Sequence, residues 1–193
     1  MTNDTHIIKP SSAASLMGKQ TIVLVGMMVA GKSAVGRRLA AKLDLPFIDS
    51  DAEIEQAAGM TISQFFETRG EAEFRIGERR VIARILDGAP CILSTGGGAF
   101  MDAETRALIR DKALSVWIKA DIETLVKRAS RKDDRPLLQG GDLRTKIQNI
   151  LTVREPVYAE ANITVTSDER PIDDTVERVL NAIGSYAHKG TPS

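Results

Sequence analysis

The 193-residue sequence has one cysteine, no excess of charge of either sign and no long hydrophobic run. Lysine plus arginine equals aspartate plus glutamate at 26 each, so the composition gives no support for a nucleic-acid or membrane-surface binder, which should show a basic excess. The single Cys91 excludes an internal disulfide and fits a reducing compartment. Because Cys91 begins an apolar run, we expect a buried and unreactive thiol.

The most apolar stretch, from Thr21 to Ala30, is similar to the core of a signal peptide. About ten residues cannot span a bilayer as a helix. The stretch also leads into Gly31-Lys32-Ser33, which a signal peptide does not explain. We therefore expect a cytoplasmic protein with neither a membrane nor a nucleic acid as partner.

The chain length favours one domain, and an apolar content of 42% is enough for a sizeable core. Residues 1–19 lack apolar periodicity, and residues 186–193 end in Gly190-Thr191-Pro192-Ser193. Both are typical of mobile tails. The sequence thus predicts a single domain over residues 20–185.

Within that domain, short β-rich runs alternate with helical patterns. Strands are predicted near 21–25, 46–48, 91–94, 114–118 and 163–165. Helices are predicted near 32–43, 51–58, 61–68, 71–87, 102–111 and 142–159, with others after 121 and from about Pro171. This alternation predicts a three-layer α/β domain whose parallel sheet is covered on both faces.

Residues 26–33, Gly-Met-Met-Val-Ala-Gly-Lys-Ser, match the pattern G-x-x-x-x-G-K-[ST] in full. The match follows a β-rich run and opens a helix, which is the context that a phosphate-binding loop requires. Backbone N–H groups and the helix N-terminus would cradle phosphates. The Lys32 ammonium would reach the β- and γ-phosphates, and the Ser33 hydroxyl would bind Mg²⁺.

Two further segments follow predicted strands, where ligands bind in open α/β sheets. Asp49 and Asp51 are two apart, so on an extended segment both carboxylates would face one site; helix capping by Asp49 or Ser50 is the structural alternative. Gly96-Gly97-Gly98 either allows a substrate to approach the backbone closely or forms a flexible turn.

Two arginines occupy positions that need an explanation. Arg154 continues the apolar stripe of the helix predicted over 142–159, where a guanidinium is costly unless it meets an anion or borders a cleft. Arg75 is at helical spacing from Glu71 and Glu78, so an internal ion pair is the alternative to a ligand. Arg135, in a charged segment over about 131–141, is expected to lie on a mobile lid that closes over the γ-phosphate.

Taken together, these features resemble the shikimate kinase family over about residues 20–180. The resemblance rests on motifs that stand in the family's order: the loop at 26–33, Asp49-x-Asp51, Phe66-x-x-x-Gly70-Glu71-x-x-Phe74-Arg75-x-x-Glu78, Gly96-Gly97-Gly98, Arg135-Pro136-Leu137-Leu138 and Arg154-x-x-x-Tyr158. One motif is generic to nucleotide binders, whereas the ordered set is specific.

The resemblance implies a P-loop fold with a five-stranded parallel sheet in the order 2-3-1-4-5. It implies transfer of the ATP γ-phosphoryl to the 3-hydroxyl of shikimate, in the route to chorismate and the aromatic amino acids, by a monomer that uses Mg²⁺. The implied catalytic residues are Lys32, Asp51 and Arg135. The implied ATP contacts are Gly26, Val29, Ala30, Gly31, Lys32, Ser33, Ala34, Arg128, Arg135 and Pro171. Shikimate would meet Asp51, Arg75, Gly96, Gly97, Gly98 and Arg154, and Mg²⁺ would be held by Ser33 and Asp49.

The sequence departs from the family where Val29 replaces a usual glycine and where the predicted lid is unusually charged. Two other functions are compatible with the loop alone: a related kinase such as a gluconate kinase, and a nucleotide-binding regulatory module. The arginine pair favours a substrate with a carboxylate, and the joint presence of Lys32, Asp51 and Arg135 favours catalysis.

Overall fold

A computed structural model describes residues 20–131 and 142–189, with the side chains of the last two residues excepted. The strands are β1 (Thr21–Val25), β2 (Phe47–Asp49), β3 (Ile92–Ser94), β4 (Ala113–Lys119) and β5 (Ile163–Thr166). The helices are α1 (Lys32–Leu43), α2 (Ser50–Ala58), α3 (Ile62–Leu86), α4 (Ala103–Lys112), α5 (Ile122–Ala129), α6 (Leu143–Tyr158) and α7 (Ile172–Lys189), with a 3₁₀ turn at Ala99–Met101.

The strands form one parallel sheet in the order β2-β3-β1-β4-β5. Every residue of β1 is buried, and so are the first six of β4, as expected for strands covered on both faces. The predicted three-layer fold and strand order are confirmed. Because all strands run in one direction, the segments that follow β1, β2, β3 and β5 lie at one edge of the sheet, where ligands bind in such folds.

Helix α3 shows how one glycine divides a helical segment. The sequence predicts two helices, over 61–68 and 71–87, and the structure joins them through Gly70, which has φ 81° and ψ 171°. This backbone region is essentially restricted to glycine. Thr61 begins the first half with a capping box, since its hydroxyl accepts from the Gln64 N–H and the Gln64 side chain accepts from the Thr61 N–H. The kink at Gly70 redirects the second half, which carries Arg75 and Glu78.

The structure describes part of the predicted C-terminal tail and none of the predicted N-terminal tail. Residues 1–19 lie outside the described residues. Helix α7 continues to Lys189, past residue 186, where a C-terminal tail is predicted to begin. Apolar positions of its last turns, such as Ile183, are fully buried, so core packing carries the helix further than the small and polar residues of the terminus indicate. No helix in the described part of the chain is long and apolar enough to cross a membrane.

Candidate active site

The phosphate loop, residues 26–33, connects β1 to the first turn of α1. Its path requires positive φ angles at Gly26 (134°), Val29 (57°) and Gly31 (103°). A side chain at Gly26 would place its Cβ 2.6 Å from the Ile118 carbonyl oxygen, so glycine is required there by a close approach to β4. Gly31 precedes α1 without a side-chain cap from any described residue. The N–H groups at the start of α1 are therefore suited to an anion.

Lys32 is almost buried and its ammonium lies against the start of the loop. The Nζ atom donates to the carbonyl oxygens of Gly26 and Met27, both at 2.8 Å. These bonds hold a positive charge in the concavity of the loop, where it complements the predicted phosphates. That the Lys32 ammonium reaches the β- and γ-phosphates stays a prediction.

Ser33 and Asp49 meet behind the loop. The Ser33 hydroxyl donates to the Asp49 carboxylate at 2.8 Å and lies 3.2 Å from the Ser94 hydroxyl. Asp49 also caps α2, because its other oxygen accepts from the Asp51 N–H at 3.1 Å. Mg²⁺ prefers oxygen ligands and commonly takes only one or two from the protein beside phosphates and water. The hydroxyl and carboxylate of Ser33 and Asp49 fit that ion, and the described residues hold no cluster of three metal-ligating side chains elsewhere.

The extended geometry predicted for Asp49-Ser50-Asp51 is wrong, because Ser50 already begins α2. Asp49 takes the capping role that was the alternative, and it reaches Ser33 as well. Asp51 lies in the first turn of α2 and reaches the acceptor side of the site by a different route: its carboxylate lies against Gly96, 2.6 Å from where a Cβ would stand. The two carboxylates are therefore divided between two parts of the site.

A cleft of about 210 Å³ opens beside the phosphate loop. We call it the base cleft; its lining residues are Gly31, Ala34, Val35, Arg128, Ser167, Asp168, Arg170, Ile172 and Thr175. Arg128 joins its walls, since its guanidinium donates to Ala30 O at 2.8 Å, to Ser167 Oγ at 3.1 Å and to Asp168 O at 2.6 Å. Pro171 immediately precedes Ile172 and is exposed. The sequence-predicted Ala34, Arg128 and Pro171 thus lie in or next to one cleft.

Asp168 lines the base cleft and is paired with two cationic side chains. Its carboxylate accepts from Arg170 at 2.6 Å and from Arg178 at 3.2 Å. Hydrogen bonds from Arg170, followed by those from Arg178, hold the pKa of Asp168 well below its usual value. Asp168 and Arg178 were not predicted as site residues; the position of Asp168 just after β5 was the available signal.

The other half of the site, which we call the acceptor face, consists of Asp51, Arg75, Glu78, Gly96–Gly98 and Arg154. Arg75 pairs with Glu78 at 2.7 Å and with Glu71 at 3.0 Å. The ion pair that was the alternative to a ligand role is therefore present. Glu78 is only 1% exposed; burial raises its pKa, and the Arg75 guanidinium offsets part of that rise. The Arg75 side chain itself is 26% exposed, so it retains an open side.

The glycine triplet permits close packing rather than unusual backbone angles, since none of its residues has a positive φ. A Cβ at Gly98 would lie 2.4 Å from the Arg75 guanidinium, and one at Gly97 would lie 3.1 Å from the Met28 nitrogen. Together with the contact between Asp51 and Gly96, these distances show that each bare Cα accommodates a different neighbour. The triplet thus brings the acceptor face directly against the phosphate loop.

Arg154 reaches the same segment from α6. Its Nη1 atom donates to Gly97 O at 3.1 Å, and the Tyr158 hydroxyl donates to the same oxygen. Ile147, Leu151 and Tyr158 form the buried face of α6, and Arg154 lies half-buried beside it. Arg75 and Arg154 therefore contact neighbouring glycines. Arg135 lies outside the described residues.

The fold and the site define a P-loop kinase of the small-molecule type, with a phosphate loop that packs against a segment bordered by charged side chains. The shikimate kinase family model matches residues 28–184. The chain belongs to the shikimate kinase family and is an enzyme of that family.

Relatives in sequence agree with this assignment. A shikimate kinase of Bradyrhizobium diazoefficiens is 54% identical over 172 residues, covering 89% of this chain and 83% of that protein. A shikimate kinase of Caulobacter vibrioides is 56% identical over 164 residues, covering 85% of this chain and 82% of that protein.

Solved structures are similar to this chain at two levels, that of the family and that of the fold alone. A shikimate kinase from Acinetobacter baumannii, in complex with shikimate, has a TM-score of 0.84 and 35% identity, covering 90% of this chain and 97% of that one. A gluconokinase from Sinorhizobium meliloti has a TM-score of 0.61 at 17% identity, covering 89% and 95%. The second likeness shows the fold alone.

Proposed function

We propose that this shikimate kinase binds ATP along the phosphate loop and base cleft and holds shikimate against the acceptor face, so that the two meet at Gly97. The observation that supports this arrangement most strongly is the contact of the glycine triplet with three neighbours at once: Asp51, Arg75 and the loop nitrogen of Met28. The product is shikimate 3-phosphate, an intermediate on the route to aromatic amino acids.

On the nucleotide side, the N–H groups at the start of α1 and the Lys32 ammonium would bind the β- and γ-phosphates. The base would enter the cleft between Arg128 and Pro171. Ser33 and Asp49 would hold Mg²⁺, Asp49 through water; the ion supplies charge neutralisation for the phosphates. Arg135 would contribute a further cation to the γ-phosphate.

On the acceptor side, Arg75 and Arg154 would bind the shikimate carboxylate through charge-assisted hydrogen bonds. Asp51 would accept hydrogen bonds from the ring hydroxyls. The 3-hydroxyl oxygen forms a bond to the γ-phosphorus while the bond to the ADP oxygen breaks, and Asp51 takes the hydroxyl proton. Phosphoryl transfer depends mainly on positioning and charge, so a weak base is sufficient.

The location and the assembly of the protein are two further proposals. The buried Cys91, whose pKa is raised by burial, is consistent with an unreactive thiol. We propose that the protein works in the cytoplasm as a monomer. A molar mass in solution that exceeds the chain's 21.0 kDa would contradict the second proposal.

Arg154→Ala tests the acceptor assignment. Charge-assisted bonds are worth about 1.5–3 kcal/mol each, so we expect the KM for shikimate to rise about ten- to a hundredfold while the KM for ATP stays within about twofold. Arg144→Ala is the matched control, because Arg144 lies on the same helix and pairs with the exposed Glu123.

The assay couples ADP release to a spectroscopic signal and compares shikimate with quinate, gluconate and nucleoside monophosphates. Unaltered shikimate kinetics in Arg154→Ala would remove Arg154 from the acceptor face. Equal turnover of gluconate by the wild type would argue against recognition through a ring carboxylate.

A further inference from the structure

Tyr158 is a fully buried residue whose hydroxyl is directed at the acceptor face. It ends α6 and has 0% exposure. Its hydroxyl donates to Gly97 O, the oxygen that also accepts from Arg154 Nη1. The hydroxyl and the guanidinium are therefore brought together by one shared acceptor, the Gly97 carbonyl oxygen.

The ring of Tyr158 packs against the ring of Trp117. Its centroid lies 5.9 Å from that of Trp117, at an interplanar angle of 31°. Trp117 is buried on β4, and its ring approaches the loop glycine Gly26, with a Cδ1 distance of 3.1 Å from the position of a Cβ there. Since the ring cannot turn freely in this packing, the position of the hydroxyl is fixed by the sheet.

The protonation state of the hydroxyl suits a permanent donor. Burial raises the pKa of Tyr158 above its usual value, more than the nearby guanidinium of Arg154 lowers it. The hydroxyl therefore remains a donor at neutral pH. A carbonyl oxygen can only accept hydrogen bonds, so its partner must be a donor.

A fixed carbonyl at Gly97 also fixes the next amide. The peptide unit is planar and trans, so the orientation of Gly97 O determines that of the Gly98 N–H on the opposite edge. Gly98 is the residue whose Cα lies against the Arg75 guanidinium. One hydroxyl thus touches a segment that leads to both arginines of the acceptor face.

We propose that Tyr158 is a positioning residue for the acceptor: its hydroxyl holds the Arg154 guanidinium and the Gly97–Gly98 peptide in the orientation that receives the shikimate carboxylate. The inference rests on the proposed placement of shikimate at Arg75 and Arg154. It assigns to Tyr158 a role in acceptor affinity and none in nucleotide binding.

Tyr158→Phe removes the hydroxyl and keeps the ring against Trp117. We expect the KM for shikimate to rise about tenfold, as the loss of the donor to a buried carbonyl oxygen predicts, with the KM for ATP within about twofold. Tyr186→Phe is the matched control, since Tyr186 is the other tyrosine of the chain and its exposed hydroxyl contacts Asn162. That variant should leave both KM values unchanged.

A double-mutant cycle separates positioning from general destabilisation. If Tyr158 acts through Arg154, Tyr158→Phe should have a much smaller effect on the shikimate KM in an Arg154→Lys background than in the wild type. Equal effects in both backgrounds, or parallel rises of both KM values, would overturn the proposal. An unchanged shikimate KM in Tyr158→Phe would also overturn it.

A pH measurement keeps the proposal testable if Tyr158→Phe folds poorly. Incorporation of 3,5-difluorotyrosine into the Tyr186→Phe protein labels Tyr158 alone and lowers the pKa of its hydroxyl. The shikimate KM should then rise with pH as the phenol ionises and stops donating, and a flat profile would contradict the proposal. If instead the proposed acceptor site itself is wrong, Arg154→Ala would leave the shikimate kinetics unaltered.

Discussion

The nucleotide half and the acceptor half of this site are built in different ways. The phosphate loop occupies eight consecutive residues, and its polar groups are mainly backbone amides and carbonyls with one ammonium. The acceptor face takes charged side chains from α2, α3 and α6, and bare Cα atoms after β3. Its charges are held by groups from other positions of the chain, such as Glu78 for Arg75 and the Gly97 carbonyl oxygen for Arg154. The loop is therefore defined by local sequence, whereas the acceptor face depends on how distant segments pack.

The largest expected effect falls on the nucleotide half. Lys32→Met removes the ammonium that neutralises developing phosphate charge, and loss of one such group costs at least about a hundredfold in kcat. Lys42→Met is the control, because Lys42 lies on the same helix, is exposed and pairs with Glu177. Single-turnover measurement with Mg-ATP checks the result; near-wild-type transfer by Lys32→Met would contradict the loop assignment.

The next largest effect is expected for a substitution on the acceptor face. Gly98→Ala places a methyl group 2.4 Å from the Arg75 guanidinium, which must move away from its position. We expect the shikimate KM to rise about tenfold, the value of one displaced charge-assisted bond, with little change in stability because the far end of a side chain can shift. Steady-state kinetics with each substrate varied in turn checks this.

Gly77→Ala provides the control for that substitution. Gly77 lies two residues from Arg75 on α3, and no atom lies within 4 Å of its Cβ position. Alanine there should leave both KM values unchanged and stabilise the helix by up to about 1 kcal/mol. An equal loss of shikimate affinity in both variants would indicate a general effect of added volume on α3.

The two halves should also differ in their response to pH. The pKa of Asp168 lies below its usual 3.8, so its contribution to stability is present above pH 3.8 and is lost as the pH falls below that value. The pKa of Glu78 lies above its usual 4.5, so its contribution is present below pH 4.5 and is lost as the pH rises through the folded-state pKa.

Denaturant unfolding of the wild type, Asp168→Asn and Glu78→Gln checks these opposite signs. The stability advantage of the wild type over Asp168→Asn should shrink as the pH falls below 3.8. The difference between the wild type and Glu78→Gln should shift against the wild type as the pH rises above 4.5. Two differences that move in the same direction would contradict the contrast between the halves.

The smallest effect concerns Val29, whose φ of 57° is unfavourable for a β-branched side chain. Val29→Gly removes about 1–2 kcal/mol of backbone strain and adds about 0.5–1 kcal/mol of chain entropy cost. We expect a net stabilisation of about 0–1.5 kcal/mol. Val29→Ala keeps most of the strain and loses packing, so it should be less stable than Val29→Gly; thermal unfolding of both variants would reveal the reverse order.

The contrast between the nucleotide half and the acceptor half also explains which features the sequence predicts well. The fold follows from alternating β-rich and helical patterns, and the phosphate loop from eight contiguous residues, because both depend on local geometry. The extended path over Asp49-Ser50-Asp51 was wrong, since Asp49 caps the helix that Ser50 begins, the alternative that the sequence left open.

Contacts between distant segments account for the rest. The convergence of Gly98 with Arg75, and the bonds of Arg128 to Ala30, Ser167 and Asp168, depend on how α3 and α5 dock on the sheet. No periodicity of a single segment contains that information. Glu78 was predicted as a partner of Arg75 and as part of a family motif, whereas its burial was not predicted.

A crystal structure with Mg-ADP and shikimate tests the central claim most directly. The account predicts phosphates in the turn formed by residues 26–33 and a shikimate carboxylate within about 2.7–3.2 Å of nitrogens of both Arg75 and Arg154. An empty phosphate loop, or a carboxylate that contacts neither guanidinium, would contradict it.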